Sequence, residues 1–402
     1  MTDLKKNVPE LRFPEFEGEW EENRIGEMAG KIQSGGTPKT SETKYWDGEL
    51  PWIQSSDLIK GRVTDVKINK YITVEGLEQS SAKLIPANSI AIVTRVGVGK
   101  IAIVNEEFST SQDFLNLSEI NIDSYFALYR LYLLLKKEAS SLQGTSIKGI
   151  TKNDLISKVI KIPRIREEQQ KIGDFFSKLD RQIELEEQKL ALLIEQKKGY
   201  MQKIFSQELR FKDDNGNDYP EWETNTVGEL VSNSSEKYIP KASEQLKDIE
   251  LDSIESNTGR LISIYDSSEF SSQKNKFEKN QVLYGKLRPY LNKFHFTIFN
   301  GVCSSEIWVL TTKNNTRLKN EFIYNFIQTN KFSRVANQAI GSKMPRADWN
   351  LIENIRLNTP SLNEQQKIGD FFSKLDRHIE LQGQKIENLK QRKQGLLQKM
   401  FV

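Results

Sequence analysis

The chain has 402 residues, of which 28% are charged, and its formal net charge is +3. That length is sufficient for two or three domains, and the near-neutral balance indicates a nucleic-acid partner only if the basic residues cluster in space. No apolar run approaches the ~18 residues of a membrane helix, and the first residues lack the apolar core of a signal peptide, so we expect a cytoplasmic protein.

Residues 1–163 are predicted to form a first globular domain of mixed strands and turns. The stretch 34–52 is loop-rich because Gly35, Gly36 and Pro38 interrupt regular structure. Short β-branched runs follow, which indicate strands, and residues 125–138 carry apolar side chains at helical spacing.

The segment Gly97–Ala102 matches the G-x-G-x-x-A pattern of dinucleotide-binding folds. That function requires a helix after the glycines and a carboxylate about 20 residues further on. The sequence IAIVNEEF occupies the place of that helix and has the character of a strand. We therefore predict a glycine hairpin here.

A long amphipathic helix is predicted over residues 164–208, and it contains a stretch that recurs later in the chain. Residues 168–185 and 364–381 are identical at seventeen of eighteen positions, with Gln182 facing His378 as the difference, and they lie 196 residues apart. Apolar side chains recur at three- and four-residue steps in both copies, while good helix formers occupy the other faces. Each helix is expected to have ~38 residues and a length of ~57 Å.

The second half of the chain repeats the plan of the first, with a globular domain over residues 209–360 and a second long helix over 361–402. The helices are near copies, whereas the globular parts share an order of elements and little sequence. We therefore predict an α+β fold, a pseudo-twofold tandem repeat of two α/β domains separated by two long antiparallel helices that form a coiled coil. The alternative is that both are core helices of ordinary domains, although few globular helices are this long. The residues expected to pair the helices are Ile172, Phe176, Leu179, Ile183, Ile368, Phe372, Leu375 and Ile379.

The sequence offers little material for catalysis or metal binding. It has one cysteine and two histidines, so an intramolecular disulfide is excluded and a zinc site of the usual type is not expected. Cys303 has apolar neighbours and is predicted to lie in the core rather than to act as a nucleophile. No HExxH motif and no Asp/Asn-Pro-Pro-aromatic motif of an amino-methyltransferase is present. We therefore predict no catalytic, cofactor-binding or metal site.

Two clusters of cations, hydroxyls and aromatic side chains occur in each half, and the sequence predicts that they occupy corresponding places. Such side chains suit contacts with phosphates and base edges, although a solvated loop is the more common explanation for any single residue. The candidate DNA-binding residues are Thr37, Lys39, Thr40, Lys44, Tyr45, Trp46, Gln143, Thr145, Ser146 and Lys148 in the first half, and Lys286, Arg288, Tyr290, Lys293, Ser342, Lys343 and Arg346 in the second.

The chain resembles the DNA-specificity (S) subunits of type I restriction-modification systems. The resemblance rests on SGGTPKTSETKYWDGELPWIQSSDL (34–58), on KGITKNDLISKVIKIP with REEQQKIGDFFSKLDRQI (148–183), and on LNEQQKIGDFFSKLDRHI (362–379). It extends over nearly the whole chain in a specific order of variable domain, long helix, variable domain and long helix. The second domain lacks a clear copy of the GGTP loop.

This resemblance implies that this chain recognises DNA and that other subunits carry out the reactions. Each globular domain would be a target-recognition domain for one half of a bipartite double-stranded DNA target, and the helices would set the spacing between the halves. The chain would dock two methyltransferase (modification) subunits and restriction/translocase subunits in a bacterial or archaeal cytoplasm. S-adenosylmethionine, ATP and Mg would be bound by those partners, and target adenines would be flipped into the methyltransferase pocket. This chain would supply no catalytic group.

Two other functions remain as alternatives at this point. A coiled-coil adaptor would join two proteins without binding DNA, and alanine substitutions in the polar loops would then leave its activity intact. A solitary endonuclease would cleave DNA with a metal ion, but the sequence shows no recognisable acidic metal cluster.

Overall fold

The computed structural model describes residues 7–141, 149–241, 243–338 and 343–402 of the chain. It divides into two compact units, which we call unit 1 (Met1–Gln188 and Gly383–Val402) and unit 2 (Lys189–Gln382). Each unit combines one globular domain with parts of both long helices, so the boundary between the units falls inside those helices.

The long helices lie where the periodicity predicts them, and they have 40 and 39 residues. Acidic side chains occupy the first turn of each helix and a lysine occupies the last, as the helix dipole favours. The α-helices of the described residues are α1 (Val74–Glu78), α2 (Ser124–Ser141), α3 (Lys152–Ser157), α4 (Arg166–Phe205), α5 (Val227–Leu230), α6 (Asn320–Phe326), α7 (Asn330–Ala336), α8 (Trp349–Ile352) and α9 (Leu362–Met400).

Unit 1 contains three small sheets, with strand orders β2-β8-β5-β6, β4-β3-β7 and β1-β9. All pairings are antiparallel except β3 with β7. The strands are β1 (Glu21–Arg24), β2 (Ala29–Ser34), β3 (Trp46–Ile53), β4 (Tyr71–Ile72), β5 (Ser89–Val93), β6 (Ile101–Val104), β7 (Ser109–Thr110), β8 (Phe114–Ile120) and β9 (Val159–Ile162).

Unit 2 repeats this plan, with strand orders β11-β19-β16-β17, β12-β15-β18-β13-β14 and β10-β20. Its single parallel pairing, β13 with β18, corresponds to that of β3 with β7. The strands are β10 (Glu223–Thr226), β11 (Val231–Ser232), β12 (Lys237–Tyr238), β13 (Lys247–Ile249), β14 (Tyr265–Asp266), β15 (Lys274–Phe277), β16 (Val282–Gly285), β17 (Phe294–Phe296), β18 (Gly301–Ser304), β19 (Ile307–Thr312) and β20 (Arg356–Thr359). The two sequence halves therefore share the topology of these sheets, except that unit 2 adds β12 and β15 to the counterpart of β4-β3-β7.

The core of unit 1 joins the globular domain to both long helices. Ile172 and Phe176 of α4 are buried in one cluster with Phe126 of α2 and with Phe401, which follows α9. The Phe176 and Phe401 rings lie 5.8 Å apart. Ile183 is also buried and Leu179 is partly buried. The first copy of the repeat thus packs on its own domain and on the end of α9.

The core of unit 2 contains the equivalent residues of the repeat. Ile368 and Phe372 of α9 are buried with Ile204 of α4 and Phe322 of α6. Leu375 and Ile379 are partly buried. The second copy of the repeat therefore packs on the second globular domain and on the last turns of α4.

Ion pairs show that the long helices run antiparallel within each unit. In unit 1, Lys393 of α9 pairs with Asp180 of α4. Lys390, which comes earlier on α9, pairs with Glu187 (2.7 Å), which comes later on α4. In unit 2, Lys197 Nζ lies 2.6 Å from Asp376 Oδ1. Because Asp180 and Asp376 are equivalent residues of the repeat, the same contact fixes the helix register in both units.

Candidate nucleic-acid interface

The first candidate loop, between β2 and β3, is held in place by two glycines in close contact with neighbouring backbone. A Cβ atom on Gly35 would lie 2.2 Å from the carbonyl oxygen of Ser111, and one on Gly36 would lie 2.0 Å from that of Ser81. Thr37, the next residue, donates a hydrogen bond to Gln112. The GGTP sequence is therefore required by close packing beneath the loop, and Lys39, Thr40 and the residues after them form its exposed part.

Both candidate lysines of this loop have carboxylate partners. Lys39 lies 3.1 Å from Glu42, and Lys44 pairs with Glu75. The hydrogen bond and charge of Glu75 raise the pKa of Lys44. All four side chains remain exposed, so the lysines can exchange these partners for phosphates at little cost.

Aromatic side chains support the same surface. Trp46 and Trp52 meet edge to face at 5.1 Å, and the Lys70 ammonium lies 5.7 Å from both rings. Tyr45 is partly buried and lies beneath Lys44. Lys70 is not among the residues predicted from sequence, because only the pairing of β3 with β4 brings it to Trp46.

The second candidate cluster of unit 1 (Gln143, Thr145, Ser146 and Lys148) lies outside the described residues. The chain after it is anchored to the end of β5, where the Ile150 amide donates to the Thr94 carbonyl at 2.8 Å. Gly97 and Gly99 have φ values of +93° and +97° in the turn between β5 and β6. These strands pair antiparallel, so the glycine hairpin is confirmed. Its turn also exposes Arg95, a cation that sequence analysis missed.

In unit 2, the candidate loop connects β16 to β17 and has an unusual backbone. Arg288 and Asn292 flank a short 3₁₀ turn with φ values of +51° and +46°, in the left-handed region that non-glycine residues rarely occupy. Tyr290 between them is 51% exposed. Such strain is tolerated where the surrounding structure fixes it, and it is typical of binding sites.

The segment that contains Pro345 and Ala347 provides that surrounding structure. The Arg288 amide donates to the Pro345 carbonyl, and the Ala347 amide donates to the Lys286 carbonyl, both at 2.8 Å. The two candidate clusters of this unit therefore form one surface. Arg288 and Lys343 are exposed, and neither forms an ion pair with another described residue, whereas Ser342 lies outside the described residues.

Two of the predicted cations in this unit are held by the protein itself. Arg346 forms a bidentate ion pair with Glu306 at 2.9–3.2 Å, and this pairing lowers the pKa of the Glu306 carboxyl. Lys293 donates to the Leu251 carbonyl at 2.6 Å. Nearby His295 is buried against the Gly259 carbonyl, and burial lowers its pKa. These contacts indicate that Arg346 and Lys293 help to fix the conformation of the loop 286–293.

The first candidate loops of the two units are not topologically equivalent, contrary to the expectation from sequence. The loop of residues 286–293 follows β16, which corresponds to β5, so its counterpart in unit 1 is the turn with Arg95. The counterpart of the GGTP loop is the segment between β11 and β13, where Lys241 is exposed. Its sequence differs too much from GGTP for alignment to reveal it.

Other features of the described ranges add no second kind of site. No group of three or more His, Cys, Asp or Glu side chains within them could hold a metal ion, and no helix there has the length and apolar character for a membrane crossing. Cys303 is fully buried, and burial raises the pKa of its thiol.

The chain is similar to proteins of one family. The family model of the type I restriction modification DNA specificity domain matches twice, over residues 17–195 and 219–391. The EcoR124I/EcoR124II specificity subunit of Escherichia coli is 34% identical over 180 residues, 42% of this chain and 43% of that protein. The MjaIX specificity subunit of Methanocaldococcus jannaschii is 26% identical over 236 residues, 56% of this chain and 54% of that protein. The matches thus span about half the length of these relatives.

A solved structure shows the same fold over the whole chain. The S subunit of a type I restriction-modification system from M. genitalium superposes with a TM-score of 0.58 and 19% sequence identity. The superposition covers 98% of this chain and 99% of that chain.

Proposed function

Because the chain belongs to the family of type I restriction-modification DNA specificity domains, we propose that it is the specificity subunit of such a system. Each globular domain reads one half of a bipartite DNA target, and the long helices set the distance between the halves. The observation that supports this most strongly is the double match of the family model, one match to each globular domain with its helix.

The contrast between the repeated helix residues and the different loops supports a role of the two domains in DNA recognition. Both units fix their domain to the helix through identical residues of the repeat, such as Glu168 and Glu364, whereas the exposed loops differ in sequence and in topological position. Phosphate contacts by exposed cations give affinity, and base contacts by neighbouring side chains give sequence specificity. Arg288 and Tyr290 are the strongest candidates in unit 2, and Lys39 and Lys70 are the strongest in unit 1.

We assign the exposed face of the repeat to protein partners. Lys178 and Arg181 on α4 recur as Lys374 and Arg377 on α9, and all four are exposed. Packing within the units does not require these identities, so one partner that binds both copies would explain them. The chemistry that fits is two copies of the same methyltransferase subunit. Lys178→Glu and Lys374→Glu should each remove one of two bound copies, which sedimentation of the purified complex would detect.

The reaction chemistry belongs, in this proposal, to the partner subunits. The methyltransferase subunits bind S-adenosylmethionine, and the restriction subunits bind ATP and Mg. This chain carries no catalytic group. Purified chain alone should therefore neither methylate nor cleave DNA, and cleavage by the chain with a divalent metal would contradict the assignment.

The decisive experiment maps methylated adenines in DNA from cells that express this chain with its methyltransferase subunits. A bipartite target is expected, and exchanging residues 25–163 for the equivalent domain of a relative should change one half of it. If the exchange alters both halves or neither, the proposed division of recognition is wrong.

A further inference from the structure

Unit 2 contains a cleft of about 570 Å³ between the C-terminal part of α4 and the globular domain. Lys198, Met201 and Phe205 line one wall at helical spacing, and Lys331 of α7 and Arg356 of β20 contribute further lining side chains. Sites for small ligands have volumes of roughly 300–1,000 Å³. The cleft is thus large enough for a molecule of the size of a mononucleotide.

The charged side chains that line this cleft are all cations. Its lining includes four cations and no carboxylate. Lys197 pairs with Asp376, but Lys198, Lys331 and Arg356 form no ion pair with any described residue. Burial, and then the charge of nearby Arg356, lower the pKa of Lys331. A bound anion would relieve the repulsion between these cations.

The equivalent cleft of unit 1 shows that the fold does not require this charge. It has a volume of about 400 Å³ and is lined by Lys393 and Leu397, which correspond to Lys197 and Met201 in the repeat. Carboxylates neutralise it, because Arg62 pairs with both Asp65 and Glu187. The pair of Lys393 with Asp180 recurs in unit 2 as Lys197 with Asp376, so the difference is that Lys198, Lys331 and Arg356 have no ion-pair partner among the described residues.

The uncharged lining supplies two further kinds of contact. Phe205 is only partly buried and provides flat apolar surface, on which an aromatic ring can stack. The exposed amide side chains of Gln202 and Asn330 also line the cleft, and they can form hydrogen bonds with the polar edge of a ligand.

We propose that this cleft binds a nucleotide, with the phosphate on Lys198, Lys331 and Arg356 and the base against Phe205 and the amides of Gln202 and Asn330. The proposal goes beyond the specificity function, which assigns no ligand to the cations of this cleft, although Tyr290 of the loop 286–293 belongs to the lining as well. The same chemistry is present in a free nucleoside phosphate and in a nucleotide of a DNA strand, and titration with each distinguishes the two sources.

The test titrates the full-length chain with AMP, with inorganic phosphate and with a short single-stranded oligonucleotide, by calorimetry at low salt. Lys331→Gln and Arg356→Gln should each weaken binding about tenfold, since a charge-assisted hydrogen bond contributes roughly 1.5–3 kcal/mol. Lys279→Gln is the matched control, because Lys279 is an exposed cation of the same unit and does not line the cleft. Unchanged urea unfolding would show that the variants are folded.

The outcomes separate the proposal from its competitors. Saturable AMP binding that both cleft variants weaken supports a free nucleotide, and the same pattern for the oligonucleotide alone supports a DNA nucleotide. Phosphate binding as tight as AMP binding refutes a role for the base. Binding that the cleft variants leave unchanged, or no binding of any probe, overturns the proposal, while methylation mapping tests the specificity function independently.

Discussion

Arg12 and Glu168 form a forked ion pair in unit 1, in which Nε and Nη2 of Arg12 each lie 2.7 Å from a carboxylate oxygen. Glu168 is fully buried and also accepts a hydrogen bond from the Trp20 indole at 3.2 Å. In unit 2, Arg210 forks onto Glu364 in the same way, at 3.2 and 2.8 Å. The segment before each domain is thereby tied to the first turn of a long helix.

Loss of this carboxylate should destabilise the chain strongly. Glu168→Gln keeps the shape but leaves the largely buried Arg12 cation without its counter-charge, which costs up to about 3–5 kcal/mol. Urea unfolding measures the loss. Glu167→Gln is the matched control on the neighbouring exposed residue, with an expected change within about 0.5 kcal/mol. Equal effects of the two substitutions would contradict the role of the ion pair.

The repeated glycine of the helices has different surroundings in the two units, and this gives an internal comparison. A methyl group on Gly173 would lie 2.5 Å from Asp123 Oδ1 and 2.8 Å from the Phe126 amide nitrogen, whereas the nearest atom to one on Gly369 is 3.3 Å away. Gly173→Ala should therefore destabilise the chain by about 1–3 kcal/mol. Gly369→Ala should be neutral or stabilising by up to about 1 kcal/mol, because alanine favours the helix. Thermal unfolding that shows the same shift for both would refute this account.

The parts of the structure that follow from local periodicity could be predicted from sequence, and those that depend on distant partners could not. The apolar stripe predicted both long helices within three residues of their ends at Phe205 and Met400. Glu168 sits in the same polar stretch as exposed Glu167, and only the return of the segment with Arg12 buries it. Likewise, the sequence marks Lys44 as a free cation, since Glu75 is 31 residues away in the chain.

The acid stability of the region around Arg346 should depend on Glu306. Pairing with Arg346 lowers its pKa below the usual 4.5. A carboxyl with a lowered pKa stabilises the fold fully above its unfolded pKa, and this contribution is lost as the pH falls through the folded pKa. Because Arg346 is half exposed, Glu306→Gln should cost only about 0.5–1 kcal/mol at neutral pH and nothing near pH 2. Urea unfolding across this range tests the difference, with Glu49→Gln as an exposed control.

DNA affinity should depend on Arg288 more than on Arg346. Arg288 is exposed without an ion pair among the described residues, whereas Arg346 already pairs with Glu306. Arg288→Ala should reduce the salt dependence of DNA binding by about 0.9 per lost phosphate contact. Arg346→Ala should have a smaller effect. Unchanged binding after alanine substitution of Arg288, Lys39, Lys44, Lys148 and Lys343 would instead support the adaptor hypothesis.

The length of the long helices should determine the gap between the two half-targets. Four residues inserted after Glu187, and four after its repeat equivalent Gly383, lengthen both helices by about 6 Å each. One base pair rises ~3.4 Å, so the gap should grow by about two base pairs if the DNA follows the longer helices. Insertion in one helix alone should abolish methylation, because only the matched insertions leave the two helices equally long. Mapped methylated adenines report the gap directly. Full methylation of the original target by the doubly lengthened chain would show that the helices do not set the spacing.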